Sequence, residues 1–223
     1  MPLILHDKKD KFSFAVWQIT EDLSFFTERI KLCKKEQNEV NHFNEKRLLE
    51  WIVSRFLLSL LENRKHRSCC LKDKNGKPYL QNSNKTISLS HSRDFVAACI
   101  SNCNIGIDIQ IASDKIKRIK YKFLSEFELD ICKEDDICLN RFWTAKEALY
   151  KAYGHKGLNF MNNIFLSPFV KEGKELKSLG RILKNNLEFN YELFSMDIEK
   201  SILTIAIENK KNEKQNTFIS FSS

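Results

Sequence analysis

Glycine and proline are scarce, 6 and 3 in 223 residues, where average usage gives about 16 and about 11. That scarcity excludes collagen-like chains, Gly/Ser linkers and Pro-rich scaffolds, and it leaves each glycine where backbone geometry or a close approach calls for one. Also missing is any apolar run near the ~18 residues that cross a bilayer. The first residues carry Asp7, Lys8, Lys9, Asp10 and Lys11 in place of an apolar leader, so the expectation is a cytoplasmic chain with no membrane contact. Seven cysteines include no C-x-x-C pair and no histidines at zinc-ligand spacing, which predicts reduced, partly buried thiols.

What is present is 42% hydrophobic and 30% charged, a composition for one two-lobed domain or two small ones. The net charge is +8, of which +6 lies in residues 1–103. One basic cluster (Arg64, Lys65, Arg67, Lys72, Lys74, Lys77, Lys85) faces only Asp73, and a second (Lys115, Lys117, Arg118, Lys120, Lys122) faces only Asp114. Such patches suit polyanions or an acidic protein. They lack interleaved aromatics and any zinc, helix-turn-helix or RNA-recognition signature, so nucleic acid is not the expected partner.

Periodicity predicts a strand at 12–19 and one long helix over 36–62, with Val40, Phe43, Leu48, Trp51, Ile52, Phe56 and Leu60 at three- and four-residue steps. A turn at 74–78 and strands at 86–90, 95–101 and 104–111 follow. In the second half, Ser125 with Glu128 reads as a capping box, 135–153 as a helix closed by Gly154, and 164–166, 187–194 and 202–207 as strands. The polar stretch 209–216 is expected to fray. There is no sequence repeat. The order of elements nevertheless repeats, which predicts an α+β fold of two similar lobes, 1–103 and 104–223, related by a pseudo-twofold and meeting near residue 104.

Chemistry concentrates in three segments. Asp108 and Gln110 project from the same face of a strand, beside Gly106, which leaves room for a ligand. Trp143, Glu147 and Lys151 share a helix face at i, i+4, i+8. If the two faces meet, Asp108, Gln110 and Glu147 offer three oxygens to a hard cation such as Mg²⁺, and Lys151 offers a charge to phosphates the cation also holds. Ser90-His91-Ser92 adds hydroxyls and an imidazole at a strand end. The plain alternatives are a surface Glu147–Lys151 pair, a solvated Asp108 and a structural histidine.

Taken together, Gly76-Lys77-Pro78, Ser90-His91-Ser92, Gly106-Ile107-Asp108 and the W-x-x-K-E-x-x-x-K element Trp143 to Lys151 resemble, in order and spacing, the motif set of the 4′-phosphopantetheinyl transferases, in their longer, two-lobed class. The resemblance runs from about Lys46 to Gly157. It implies transfer of 4′-phosphopantetheine from coenzyme A to a serine of an apo acyl or peptidyl carrier protein, with release of adenosine 3′,5′-bisphosphate. Mg²⁺ is the implied cofactor, with Mn²⁺ as the alternative, coenzyme A is the co-substrate, and the site lies in the cleft between the lobes of a monomer.

By position, the resemblance implies Asp108, Gln110 and Glu147 as metal ligands. It makes Lys151, His91 and Ser90 phosphate contacts, with Glu147, Lys151 and His91 catalytic. Gly76, Lys77 and Pro78 would meet the nucleotide, Lys46 and Arg47 the 3′-phosphate, and Glu128 would be an acid near the metal. Many family members carry Glu where this chain has Gln110, a weaker ligand for a hard cation. That departure keeps open a second reading, a catalytically weak module that binds coenzyme A or a carrier protein.

Overall fold

Hydrophobic alternation in the first hundred residues builds one antiparallel sheet, and in the remainder a second, in a computed structural model that describes residues 2–64 and 66–209. The first part runs β1 (Leu3–Lys8), β2 (Phe12–Gln18), α1 (Leu23–Thr27), α2 (Lys34–Val40), α3 (Glu45–Glu62), β3 (Cys70–Lys72), β4 (Pro78–Leu80), β5 (Thr86–Ser92) and β6 (Phe95–Ser101). The second runs β7 (Ile105–Ile111), α4 (Lys115–Ile119), a 3₁₀ turn (Lys120–Lys122), α5 (Glu126–Cys132), α6 (Asp136–Tyr153), α7 (Phe160–Asn163), β8 (Ile164–Leu166), β9 (Val170–Glu172), β10 (Glu175–Lys184), β11 (Leu187–Ile198) and β12 (Ser201–Glu208).

The expected likeness of the two halves is visible in their topology. Within the first sheet the order is β2-β6-β5-β4-β3, with β1 added outside β2; in the second it is β7-β12-β11-β10-β8. Each time the opening strand pairs with the closing one. Between opening strand and sheet return come helices of 5, 7 and 18 residues in both halves. The fold is therefore α+β with two antiparallel sheets, as expected.

Strand faces alternate between two kinds of core. Phe12, Phe14 and Val16 of β2 and Phe95, Ala97 and Cys99 of β6 meet Ile105, Ile107 and Ile109 of β7 and Leu203, Ile205 and Ile207 of β12 in a core between the sheets. The intervening residues face helices: Trp17, Val96 and Ala98 pack with Ile52, Val53 and Leu57 of α3, while Ala206 and Leu193 pack with Phe142, Ala148 and Leu149 of α6. Burial on both faces is why these strands read as nearly continuous apolar runs.

A row of serines adds a polar seam. Ser88, Ser90 and Ser92 of β5 accept, through Oγ, the backbone N–H groups of Ile107, Ile109 and Ile111 of β7 at 3.1, 3.2 and 3.3 Å. β7 is the edge strand of its sheet, and its outward N–H groups would otherwise be buried without acceptors.

The structure corrects several expectations. The helix predicted over 36–62 is two helices, because Asn44 takes an extended conformation and its side chain accepts the Arg47 N–H at 2.9 Å, capping α3 afresh. β1 was hidden by its charges, since it is an edge strand with one exposed face, and β10 was not anticipated. Not all thiols are reduced: Cys33, the N-cap of α2, is bonded to Cys69 beside β3. The predicted capping box at Ser125 and the left-handed Gly154 (φ 73°) are both present. Most of the stretch expected to fray lies beyond Asn209, outside the described residues. Among the described residues no helix is long and apolar enough to cross a membrane.

Candidate active site at the seam between the sheets

The even-numbered side of β7 faces α6. At Gly106 an added Cβ would lie 2.0 Å from the carbonyl oxygen of Ala148 and 2.5 Å from the amide nitrogen of Ala152. The space at Gly106 is thus filled by the α6 backbone and is not room for a ligand. Close approach of strand and helix brings Lys151 within 2.7 Å of Asp108 Oδ1. Lys151 also donates to Ser90 Oγ at 2.9 Å and to the Ile107 carbonyl at 3.1 Å.

Ser90 is buried and its hydroxyl is fully used. It donates to Asp108 Oδ1 at 2.8 Å while accepting from Ile109 N–H and Lys151. A hydroxyl has one proton and two lone pairs, so none remains for a diphosphate. Its place is to hold Asp108 and Lys151 in register.

Glu147 lies one turn before Lys151 on α6. Its carboxylate takes no hydrogen bond among the described residues. Burial, and then the neighbouring charge of Asp108, pushes its carboxyl above the usual range, against an opposing pull from Lys151. Asp108 keeps Oδ2 free of hydrogen bonds among the described residues, its contacts being made through Oδ1. Two neighbouring hard carboxylates with open oxygens fit a divalent cation of the Mg²⁺ or Mn²⁺ type. Gln110 differs. Its Oε1 accepts the indole N–H of Trp143 at 2.9 Å, which uses one of the two lone pairs of the amide oxygen. The second lone pair is left to a cation, for which the neutral amide is a weaker ligand than a carboxylate.

Beside these groups lies a cavity of about 360 Å³. Gly76 and Lys77 line it from the turn before β4, Pro78 from the start of β4, Ser90 and His91 from β5, and Lys151 from α6. Arg47 lines it from α3 and stacks over Phe43 at 4.1 Å. Lys46 is exposed and outside the lining. His91 is exposed, with Nδ1 3.4 Å from Glu50. Lys77 donates its ammonium to the Ala152 carbonyl at 2.7 Å, tying the turn to the C-terminal end of α6, and burial lowers its pKa.

Sequence reasoning missed part of this wall. Helical periodicity places Trp51 in an apolar stripe and gives Arg55 no part, yet both line the cavity. Arg55 is 3% exposed, stacks on Trp51 at 3.7 Å and donates from Nη1 to Ser54 Oγ at 2.9 Å. Arg47, Trp51 and Arg55 at i, i+4, i+8 were the available signal, a helix face with cations where a core face would be apolar. With Lys72, Lys77, Lys151 and Lys156, the lining holds six cationic side chains against the single carboxylate of Glu50. It is built for a polyanion.

Glu128, expected as an acid near the metal, pairs with Lys146, the residue before Glu147 on α6. It is 1% exposed and accepts from Lys146 Nζ (2.7 Å), Leu166 N–H (3.0 Å), and both N–H (2.8 Å) and Oγ (3.0 Å) of Ser125. Lys146 in turn donates to the carbonyls of Phe123, Phe160 and Ile164. This pair anchors α5 and β8 to α6.

Comparison with known families places a match here. Residues 104–206 match the model of the 4′-phosphopantetheinyl transferase superfamily, a stretch that holds Asp108, Glu147 and Lys151 but not the serines of β5. No curated protein matches the chain.

Proposed function

We propose that this protein transfers the 4′-phosphopantetheine group of coenzyme A to a serine of an apo acyl or peptidyl carrier protein, as a monomer of the two-lobed class. The observation that carries the reading is the bond from Asp108 to Lys151, which joins the carboxylate to a cavity lined by six cations at the seam of two like-folded halves. Residues 1–103 supply the cavity wall from α3 and β5, and 104–223 the carboxylates and Lys151. The family match covers the second of these and supports the chemistry there.

Coenzyme A carries a diphosphate and a 3′-phosphate, which suits the cationic lining. Lys151 would exchange one of its three bonds, to Asp108, Ser90 and the Ile107 carbonyl, for a contact to the diphosphate beside Asp108, and the exposed His91 would contact its other side. Arg47 and Arg55 would meet the 3′-phosphate end, with Gly76 and Pro78 against the nucleotide. Asp108 and Glu147 would hold Mg²⁺. When bound there, the ion supplies positive charge against the charge that develops as the P–O bond to the adenosine side breaks. Glu147 would be the carboxylate that receives the proton of the attacking serine hydroxyl. Gln110 would hold Trp143 through one lone pair of its oxygen and would offer the other to the ion.

The test is to incubate the protein with coenzyme A, Mg²⁺ and an apo carrier and to quantify nucleotide products by chromatography. The expected result is adenosine 3′,5′-bisphosphate in equal amount to modified carrier. Tight coenzyme A binding without that product, across several carriers, would favour a binding module.

A further inference from the structure

Two sulfurs that take no part in the cavity lie against each other at the junction of α5 and α6. Cys132 is the last residue of α5 and Cys138 the third of α6, and their Sγ atoms are 2.7 Å apart. That is inside van der Waals contact for two sulfurs, yet longer than the roughly 2.05 Å of a bonded pair. Cys132 is 1% exposed and Cys138 is partly exposed. We propose that Cys132 and Cys138 are a redox-active dithiol, which a low-molecular-weight disulfide of the glutathione type converts to an intramolecular disulfide.

The surroundings divide the roles. Cys138 sits in the first turn of an 18-residue helix, behind the N-cap Asp135, whose Oδ1 accepts the Cys138 N–H at 3.1 Å. Helix N-termini favour thiolate. Hydrogen bonding between the sulfurs holds the Cys138 thiol below its ordinary range, and the same bond, with burial, pushes the Cys132 thiol above its own. Cys138 is therefore the attacking sulfur and Cys132 the resolving one.

The steps balance. The Cys138 thiolate attacks one sulfur of the small disulfide, forms a mixed disulfide and releases one small thiolate. Cys132 then loses its proton and attacks the Cys138 sulfur, releasing the second. Two electrons pass from the cysteine pair to the reagent, which leaves as two thiols. The other free cysteines are poorer candidates. Cys70 and Cys99 are buried, with burial pushing Cys99 up to about 12, and Cys103 has no second sulfur in hydrogen-bond reach among the described residues.

Treating the full-length protein with glutathione disulfide, blocking remaining thiols with iodoacetamide and mapping peptides by mass spectrometry tests this. The expected product links Cys132 to Cys138, two hydrogens lighter and with no glutathione retained. Cys132→Ser should trap one glutathione on Cys138, and Cys138→Ser should leave Cys132 unmodified. A wild-type map in which both cysteines are alkylated, or in which Cys138 keeps its glutathione, would overturn the proposal without either variant being needed.

Discussion

Lys151 and Glu147 occupy successive turns of α6 but sit in opposite electrostatic situations. Lys151 is held by Asp108, Ser90 and the Ile107 carbonyl. Glu147 has a raised pKa, from burial first and from Asp108 second. Because the folded protein holds the Glu147 proton more tightly than the unfolded chain does, stability falls as pH rises from the ordinary carboxyl value to the raised one, and the deficit persists above it. Glu147→Gln removes that deficit. In buffer stripped of divalent ions, its Tm should exceed wild type at neutral pH and converge with it under acid conditions where both side chains are neutral, while transfer is lost. A lower Tm at neutral pH would show that the Glu147 charge is instead stabilised. The carboxylates and Lys151 were legible in the sequence because strand and helix periods place them on facing surfaces. The tasks of Ser90, Gln110 and Lys77 were not, since each bonds a residue at least 18 positions away.

At the scale of elements, α6 is fixed to β7 by contact and to α5 by a buried ion pair. Gly106 permits the first. Gly106→Val would push a side chain into the Ala148 and Ala152 backbone, where no flexible neighbour can yield, so the loss should exceed about 3 kcal/mol, beyond the usual cost of overpacking. Chemical denaturation would check this; an unchanged midpoint would mean that α6 can lift without penalty. Lys146→Ala strands Glu128 in the core and should cost about 3–5 kcal/mol, read in the same measurement, with near-wild-type stability contradicting the buried pair. The motif lysine of W-x-x-K-E is thus the rivet of the helix. Sequence showed its position and not its purpose, because three of its four acceptors are backbone carbonyls. Likewise, Asn44 broke a helix that apolar periodicity alone ran straight through.

The whole molecule is two copies of one plan with no sequence repeat to announce it. Even the capping boxes correspond: buried Glu36 accepts the Cys70 N–H at the start of β3 and pairs with Arg67, as Glu128 accepts the Leu166 N–H in β8 and pairs with Lys146. Element order made the duplication legible, whereas the side chains that realise it differ too much to align. The duplication places an edge strand of one half along β5 of the other, and the cavity and carboxylates gather at that join. The central claim is that this join performs phosphopantetheine transfer. Its most direct measurement is the intact mass of an apo carrier protein after incubation with coenzyme A, Mg²⁺ and either wild type or Lys151→Ala. The account predicts a gain of one phosphopantetheine with wild type and a rate about 10²–10³-fold lower with the variant, the scale for losing one charge-stabilising donor. No mass gain with wild type on any carrier, or equal rates for the two proteins, would contradict it.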